Sequence, residues 1–272
     1  MIDQYTQLLN SLGVRQMSNP VYMVVFDLSG PPASSDKFIH FDGLLSFAAG
    51  VESVGYDGLD ELDDGGEPEY WEDEMPLRQV SVGDDWVWAA SALFAPMEAD
   101  GEPREPPEWT TERWRSRFDN VPKHQEKRTQ VSVSSGPFKS YNAAQPRAVA
   151  DTARFFFELA DDATAQDVAE LLKAHITHVG AKSSQGFGHI TDFEIQDMSD
   201  AVGSALYLNG CTMRSLPVSF VDHIPSGAYF EDRTTRPPYW HAANQELAFP
   251  PFAEVGADVF VDDIGIQEVA SA

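Results

Sequence analysis

A glycine-rich segment, Gly180–Gly188, carries residue types that contact sugar–phosphate backbones. Glycine lets the main chain approach a ligand closely, lysine and serine side chains bind phosphate oxygens, and an aromatic ring stacks on a base. The candidate RNA-binding residues here are Gly180, Lys182, Ser183, Ser184, Gln185, Gly186, Phe187, Gly188 and His189. A tight turn that needs positive φ at Gly186 and Gly188 is the structural alternative.

The segment does not match the common nucleotide-binding motifs. A phosphate-binding P-loop places Lys and Ser or Thr after its second glycine, whereas Phe187 follows Gly186 here. A dinucleotide-binding fingerprint follows a strand and precedes a helix, whereas this segment is predicted to follow a helix and precede a strand. Both classes of nucleotide site are therefore disfavoured.

A basic stretch between Arg113 and Arg147 holds eight cations and two acids, in a chain of 272 residues with a net charge of −26. The segment from Glu52 to Glu74, by contrast, has eleven acids and no cation. Such a contrast predicts contact with phosphates, although a solvated loop or internal ion pairs would have the same composition. Together with Tyr141, the candidate contacts in this stretch are Arg113, Arg115, Arg117, Lys123, Lys127, Arg128 and Lys139.

Histidines offer a different chemistry. Metal-independent RNA cleavage needs a general acid or base, usually histidine, and a lysine or tyrosine to stabilise the phosphate. His40 precedes the first predicted helix and His189 follows the glycine-rich segment, while Lys182 and Tyr141 would complete a site. The sequence therefore leaves three alternatives: RNA binding without catalysis, RNA cleavage, and a protein-interaction module without RNA. We expect no enzymatic activity, and His40 is also a candidate RNA contact.

The acidity of the chain indicates a high-salt habitat, in which carboxylates keep the surface hydrated and salt screens their repulsion. Cys211 is the single cysteine, which excludes an internal disulfide framework and a cysteine-based zinc cluster. We also find no long apolar run and no secretory signal, so we expect a cytoplasmic protein. No metal ion and no other cofactor is predicted.

The hydrophobic pattern predicts the elements that position these residues. Residues 21–28 are predicted as a buried strand and 42–49 as a short helix, followed by an acidic loop over 52–74. Strands are expected within 79–94 and at 129–134, 205–208, 215–221 and 257–261, and a short helix within 1–19.

The clearest unit comprises residues 152–197. A core strand over 152–159 is followed by an amphipathic helix over 165–179, which Thr164 and Asp167 cap and Gly180 ends. After the glycine-rich segment, residues 189–195 alternate as a strand. Strand, helix, loop and strand form the second half of a ferredoxin-like unit.

The glycine-rich segment in this position resembles the signature of the RAMP superfamily of CRISPR proteins. His40–Ala48, Met213–Pro217 and Pro237–Trp240 are similar to motifs of one branch, the subunit that caps the guide RNA in type IV CRISPR effector complexes. The resemblance covers residues 20–50, 136–196 and 210–241 in patches.

This resemblance implies an α+β protein with a ferredoxin-like (RRM-like) RAMP core spanning residues 1–272 as a single domain. Residues 51–150 would be inserted, with an acidic loop at 52–74 and a basic, thumb-like part at 104–147, and residues 200–272 would be a β-rich C-terminal extension. The implied function is to hold the 5′ handle of crRNA without catalysis. The implied partners are crRNA and the backbone and large subunits of the complex, with target nucleic acid contacted indirectly and no membrane.

Overall fold

The computed structural model describes residues 19–34, 37–62, 70–94, 107–116 and 141–256. The fold is α+β, as predicted, with helices α1 (Phe41–Leu62) and α2 (Ala165–His175) in this part of the chain. Its strands are β1 (Val21–Leu28), β2 (Gln79–Val82), β3 (Asp85–Trp88), β4 (Trp109–Ser116), β5 (Tyr141–Ala148), β6 (Thr152–Glu158), β7 (Ile190–Asp197), β8 (Tyr207–Leu208), β9 (Cys211–Thr212), β10 (Leu216–Pro217), β11 (Glu231–Thr234) and β12 (Gln245–Phe249). No helix of the described residues is long and apolar enough to cross a membrane.

The central sheet has the order β6-β1-β7, and both pairs of strands are antiparallel. Val24 and Phe26 of β1 point to a core that they share with residues of α1, α2 and β6. Met23 and Phe156 lie in a second cluster on the other face, with Val202 and Met213. Burial on both faces explains why β1 and β6 are nearly continuous apolar runs rather than alternating strands.

The edge of the sheet beside β6 is covered by an irregular segment that follows the β2–β3 hairpin. Isolated antiparallel bridges join Ala90 to Phe157 and Phe94 to Arg154, and Leu77 to Leu159 before the hairpin. Residues 75–94 contribute many buried side chains, so this part of the expected insertion at 51–150 belongs to the core. The strands predicted within 79–94 are confirmed as β2 and β3.

Helix α1 is longer than predicted. It continues through Leu62, so the first part of the expected acidic loop at 52–74 is helical. A kink at Gly55 (φ 74°, ψ 171°) interrupts it. The prediction of a loop was wrong there because the segment contains glutamate and leucine, which are good helix formers, beside its glycines and aspartates.

Helix α2 begins as predicted, with the capping box between Thr164 and Asp167. It ends at His175 instead of Val179, and Ile176 is its C-cap residue. Residues 177–179 are needed as extended chain because Val179 N donates to Gly188 O and Ile190 N to Thr177 O. Gly180 is therefore not the glycine that ends the helix.

The residues after 200 form small sheets, β10-β12-β11 and β8-β9. Their core includes Phe220 and Phe249 and is shared with Val80 and Val87 of the β2–β3 hairpin. The predicted strands at 205–208 and 215–221 shorten to two residues each. The strands predicted at 129–134 and 257–261 lie outside the described residues, as do residues 1–18 of the segment 1–19 in which a short helix is predicted.

Candidate nucleic-acid interface

Ala33 joins the two segments that sequence analysis selected for phosphate contact. It forms antiparallel bridges with Arg147 of β5 on one side and with Ala181 of the glycine-rich segment on the other. Ala181 N donates to Ala33 O at 2.7 Å, and Ala148 N donates to Pro32 O at 2.9 Å. A backbone ladder therefore runs from the β4–β5 hairpin through residues 32–34 to the glycine-rich segment.

Two glycines allow this close approach. Gly180 has φ 83°, and a Cβ there would lie 2.4 Å from Ala33 O. Gly188 has φ 63°, and a Cβ there would lie 2.0 Å from Val179 O. Both contacts are far too short for a side chain, so these glycines fix the loop against its neighbours. The structural alternative from the sequence, a turn that needs positive φ at Gly186 and Gly188, is confirmed at both glycines (φ 82° and 63°).

The tip of the segment is turned to solvent. Lys182 has left-handed backbone geometry (φ 66°), and Ser183–Gln185 form one turn of 3-10 helix. Residues Lys182, Ser183, Ser184, Gln185 and Gly186 are all exposed. An ammonium group, two hydroxyls and an amide are thus exposed on adjacent residues, which is an arrangement that can bind phosphate and ribose oxygens.

Phe187 does not join that exposed tip. Its side chain is buried, with 6% of its surface exposed. The expectation that its ring stacks on a base is therefore corrected: the ring anchors the loop in the protein, because the chain between Gly186 and Gly188 turns inward.

His189 follows the loop and is exposed. Its Nδ1 lies 3.0 Å from Ser29 Oγ, and its ring contacts that of His178 edge to face at 5.1 Å. Partial burial and the nearby charge of His189 lower the pKa of His178. The lowered pKa favours the neutral form of His178, whose ring lies next to the exposed ring of His189.

His40 is placed in the interior, contrary to its prediction as an RNA contact. Its ring stacks on Tyr239 at 4.5 Å between centroids, and Ser215 N donates to its Nε2 at 3.3 Å. Burial, together with the charges of Arg214 and Arg233, holds the pKa of His40 well below its usual value. His40 is therefore a buried, packed histidine whose lowered pKa favours the neutral form.

The network around His40 was not predicted. Asp42 accepts hydrogen bonds from Arg214 Nη2 at 3.0 Å and from the Tyr239 hydroxyl at 2.8 Å. Arg214 also donates to the carbonyl oxygens of Trp88 and Thr235. Burial raises the pKa of Asp42, although Arg214 and Tyr239 oppose that effect. The sequence did contain one indication of this network: Asp42, Arg214 and Tyr239 each lie in one of the three motifs that carry the family resemblance.

A known protein family matches the part of the chain that contains this network and the glycine-rich segment. The family described as CRISPR type IV associated protein Csf3 matches residues 21–251, from the start of β1 to just beyond β12. The chain belongs to the Csf3 family. No curated protein matches the sequence.

Membership of the Csf3 family confirms the recognition of a type IV CRISPR protein. It also gives context to the motifs at His40–Ala48, Met213–Pro217 and Pro237–Trp240, because all three lie inside the matched range. In this Csf3-family chain they meet in the buried network of Asp42, Arg214 and Tyr239. Their role in the structure is to join the start of α1 to the C-terminal sheets.

Two of the predicted basic contacts of the Csf3-family chain lie in the part of the chain that the structure describes. Arg113 and Arg115 lie in β4, paired with Ala144 and Asn142, and Tyr141 pairs with Ser116. The backbone ladder through Ala33 therefore connects this hairpin to the exposed loop tip. The predicted contacts Arg117, Lys123, Lys127, Arg128 and Lys139 lie outside the described residues.

Proposed function

We propose that this chain is a non-catalytic subunit of a type IV CRISPR complex, which holds the 5′ handle of crRNA and caps the filament of backbone subunits. One observation carries the proposal: a single three-residue segment around Ala33 links the exposed Lys182–Gln185 tip to the strands that lead into the basic segment. The two segments whose composition favours phosphate contact are thus joined by backbone hydrogen bonds through residues 32–34.

The arrangement of the central sheet supports a ferredoxin-like RAMP core. In such a unit the first strand lies between the third and fourth, and both helices pack on one face. The order β6-β1-β7, with residues of α1 and α2 in one cluster beside β1, fits this plan. The irregular segment at 89–94 lies where the second strand of the unit would pair with β6.

The charge distribution favours RNA binding through a few local cations and not through the net charge of the chain. A chain with net charge −26 repels RNA at long range, so binding depends on cations placed against the phosphates. Salt weakens that repulsion and the ionic contacts alike. The exposed Lys182 and the segment from Arg113 to Lys139 supply the cations, while the hydroxyls of Ser183 and Ser184 contribute contacts that salt affects less.

The placement of His40 argues against the RNA-cleaving alternative. A general acid or base must reach the proton that it transfers, and His40 lies beneath Tyr239 with its Nε2 already accepting a hydrogen bond. His189 is then the exposed candidate of the two histidines. We expect no cleavage of repeat RNA by the purified chain in the absence of metal. Cleavage that His189→Ala abolishes would support the alternative.

The function is tested by comparing two lysines. Lys182→Ala removes the exposed cation of the loop tip, whereas Lys173→Ala removes an exposed lysine of α2. Affinity for a repeat-derived 5′ RNA fragment is measured by fluorescence anisotropy. We expect Lys182→Ala to weaken binding severalfold and Lys173→Ala to leave it unchanged. Equal effects of the two substitutions on affinity would contradict the proposal that the loop tip binds RNA.

A further inference from the structure

The kink in α1 brings together side chains that a straight helix would separate. Phe47 and Tyr56 are nine residues apart, which places them on opposite sides of a straight helix and about 13.5 Å apart along it. Their ring centroids are nevertheless 6.1 Å apart. Gly50 and Leu59 repeat this spacing, since a Cβ at Gly50 would lie 2.8 Å from Leu59 Cδ2. The helix therefore folds back on itself at Gly55.

Gly55 is the residue that makes this possible. Its φ of 74° and ψ of 171° lie in a region of backbone conformation that is essentially restricted to glycine. A Cβ at Gly55 would meet no atom within 4 Å, so the constraint is the backbone conformation itself and not a neighbouring group. The sequence thus keeps a glycine where helix propensity would favour almost any other residue.

The result is an exposed apolar patch formed by Phe47, Val54 and Tyr56, which we call the α1 patch. The exposed fractions of these side chains are 45%, 43% and 57%. Isolated exposed apolar residues need no explanation, whereas two rings held in contact by a special backbone conformation form a surface that can be buried by a partner.

Two exposed carboxylates form an acidic rim beside the α1 patch. Asp57 follows Tyr56, and Glu74 Oε1 accepts from Oγ of Ser53, the neighbour of Val54, at 3.3 Å. The sequence of α1 contains no lysine, arginine or histidine. A polyanion such as RNA would be repelled by this rim. A symmetric dimer through the patch would place the same acidic rim against itself, so charge repulsion argues against a second copy of the chain as the partner.

We infer that the α1 patch docks another protein subunit of the complex, through an apolar side chain of that subunit flanked by lysine or arginine. Apolar contact at the centre with opposite charges at the rim is the usual organisation of a specific protein interface. The inference rests on the proposed membership of a protein assembly, but it does not depend on crRNA binding.

The test uses the full chain and the RNA-free protein subunits of the same type IV complex, each purified and immobilised in turn. Phe47→Ser, Tyr56→Ser and Asp57→Lys are each expected to weaken binding to one subunit by about tenfold or more. Gly55→Ala should also weaken it, although both rings remain. Tyr229→Ser is the matched control, because Tyr229 is an exposed ring of the C-terminal region, and it should have no effect.

Three results would overturn the inference. The first is that the patch variants bind every subunit as tightly as the control Tyr229→Ser does. The second is that Asp57→Lys leaves binding unchanged or strengthens it, and the third is that light scattering shows the patch to mediate self-association. Affinity for the repeat-derived RNA fragment is measured on the same variants. Failure of RNA binding by the unmodified chain would count against the proposed function and leave this inference standing.

Discussion

Asp42 and Arg214 form an ion pair at 3.0 Å in which neither side chain is exposed to solvent. The two residues are 172 positions apart, at the start of α1 and just before β10. The Tyr239 hydroxyl accepts from Arg214 and donates to Asp42, so the turn after β11 is part of the same network. This network fastens the C-terminal sheets to the helix that carries the α1 patch.

Breaking the pair from one side should destabilise the protein strongly. Arg214→Met leaves the Asp42 carboxylate buried without its counter-charge, which costs about 3–5 kcal/mol of unfolding free energy. Tyr239→Phe removes only a hydroxyl and should cost about 1.5–3 kcal/mol. Urea unfolding measures both. The double variant Asp42→Leu/Arg214→Met should recover part of the loss, and a double variant less stable than Arg214→Met would contradict this account.

The neutral state of His40 predicts a dependence of stability on pH. Because its pKa in the folded chain lies well below the ordinary value of about 6.5, the unfolded chain binds the proton more readily. The unfolding free energy should therefore decrease as the pH falls below about 6.5, toward the lower pKa of the folded state. Urea unfolding between pH 7 and pH 5.5 measures this slope.

His40→Gln should flatten the slope, since glutamine can accept the hydrogen bond from Ser215 N without titrating. The pKa of His178 is also lowered. His178→Gln should therefore remove a separate part of the pH dependence of the unfolding free energy and leave the part that His40 contributes. An unchanged slope in His40→Gln would show that His40 is not held neutral in the folded protein.

The glycines of the loop should differ in their tolerance of substitution. Gly186→Ala introduces a Cβ that meets nothing within 4 Å and has only the cost of a positive φ, about 1–2 kcal/mol. Gly188→Ala adds an overlap with Val179 O and should lower the unfolding free energy by clearly more. It should also weaken RNA binding, because the exposed tip must move. Equal losses of stability would show that the loop is not fixed at Gly188.

Much of the central unit could be predicted from the sequence because its determinants are local. The apolar runs of β1 and β6 and the capping box of Thr164 and Asp167 depend on neighbouring residues. The bridges of Ala33 could not be predicted, because they are formed by backbone groups and an alanine gives no hydrophobic pattern in the sequence. Arg214 was missed because a fully buried arginine contradicts the usual preference of cations for the surface.

Two errors at the candidate site have the same physical origin. Phe187 and His40 have side chains that suit RNA, but residue type does not determine which way a side chain points. Phe187 turns into the protein between two glycines, and His40 is covered by Tyr239, a residue 199 positions away. The exposed residues Lys182–Gln185 were predicted because a glycine-rich loop between helix and strand runs over the surface.

Charge reversal in the basic segment should reduce the RNA content of the assembled complex. Arg113→Glu/Arg115→Glu places two acids in β4, in the hairpin that the ladder joins to the loop. We expect less crRNA to copurify, measured as the ratio of absorbance at 260 to 280 nm and by mass analysis of the extracted RNA. A complex with the normal amount of crRNA would favour a protein-interaction module without RNA contact.

The most direct measurement is the affinity of the purified chain for a repeat-derived 5′ handle RNA, compared with a scrambled RNA of equal length across a salt series. We expect the handle to bind more tightly. We also expect the logarithm of its association constant to fall linearly with the logarithm of salt concentration over the range in which the protein remains folded. Equal affinity for both RNAs, or no binding at any salt concentration, would contradict it.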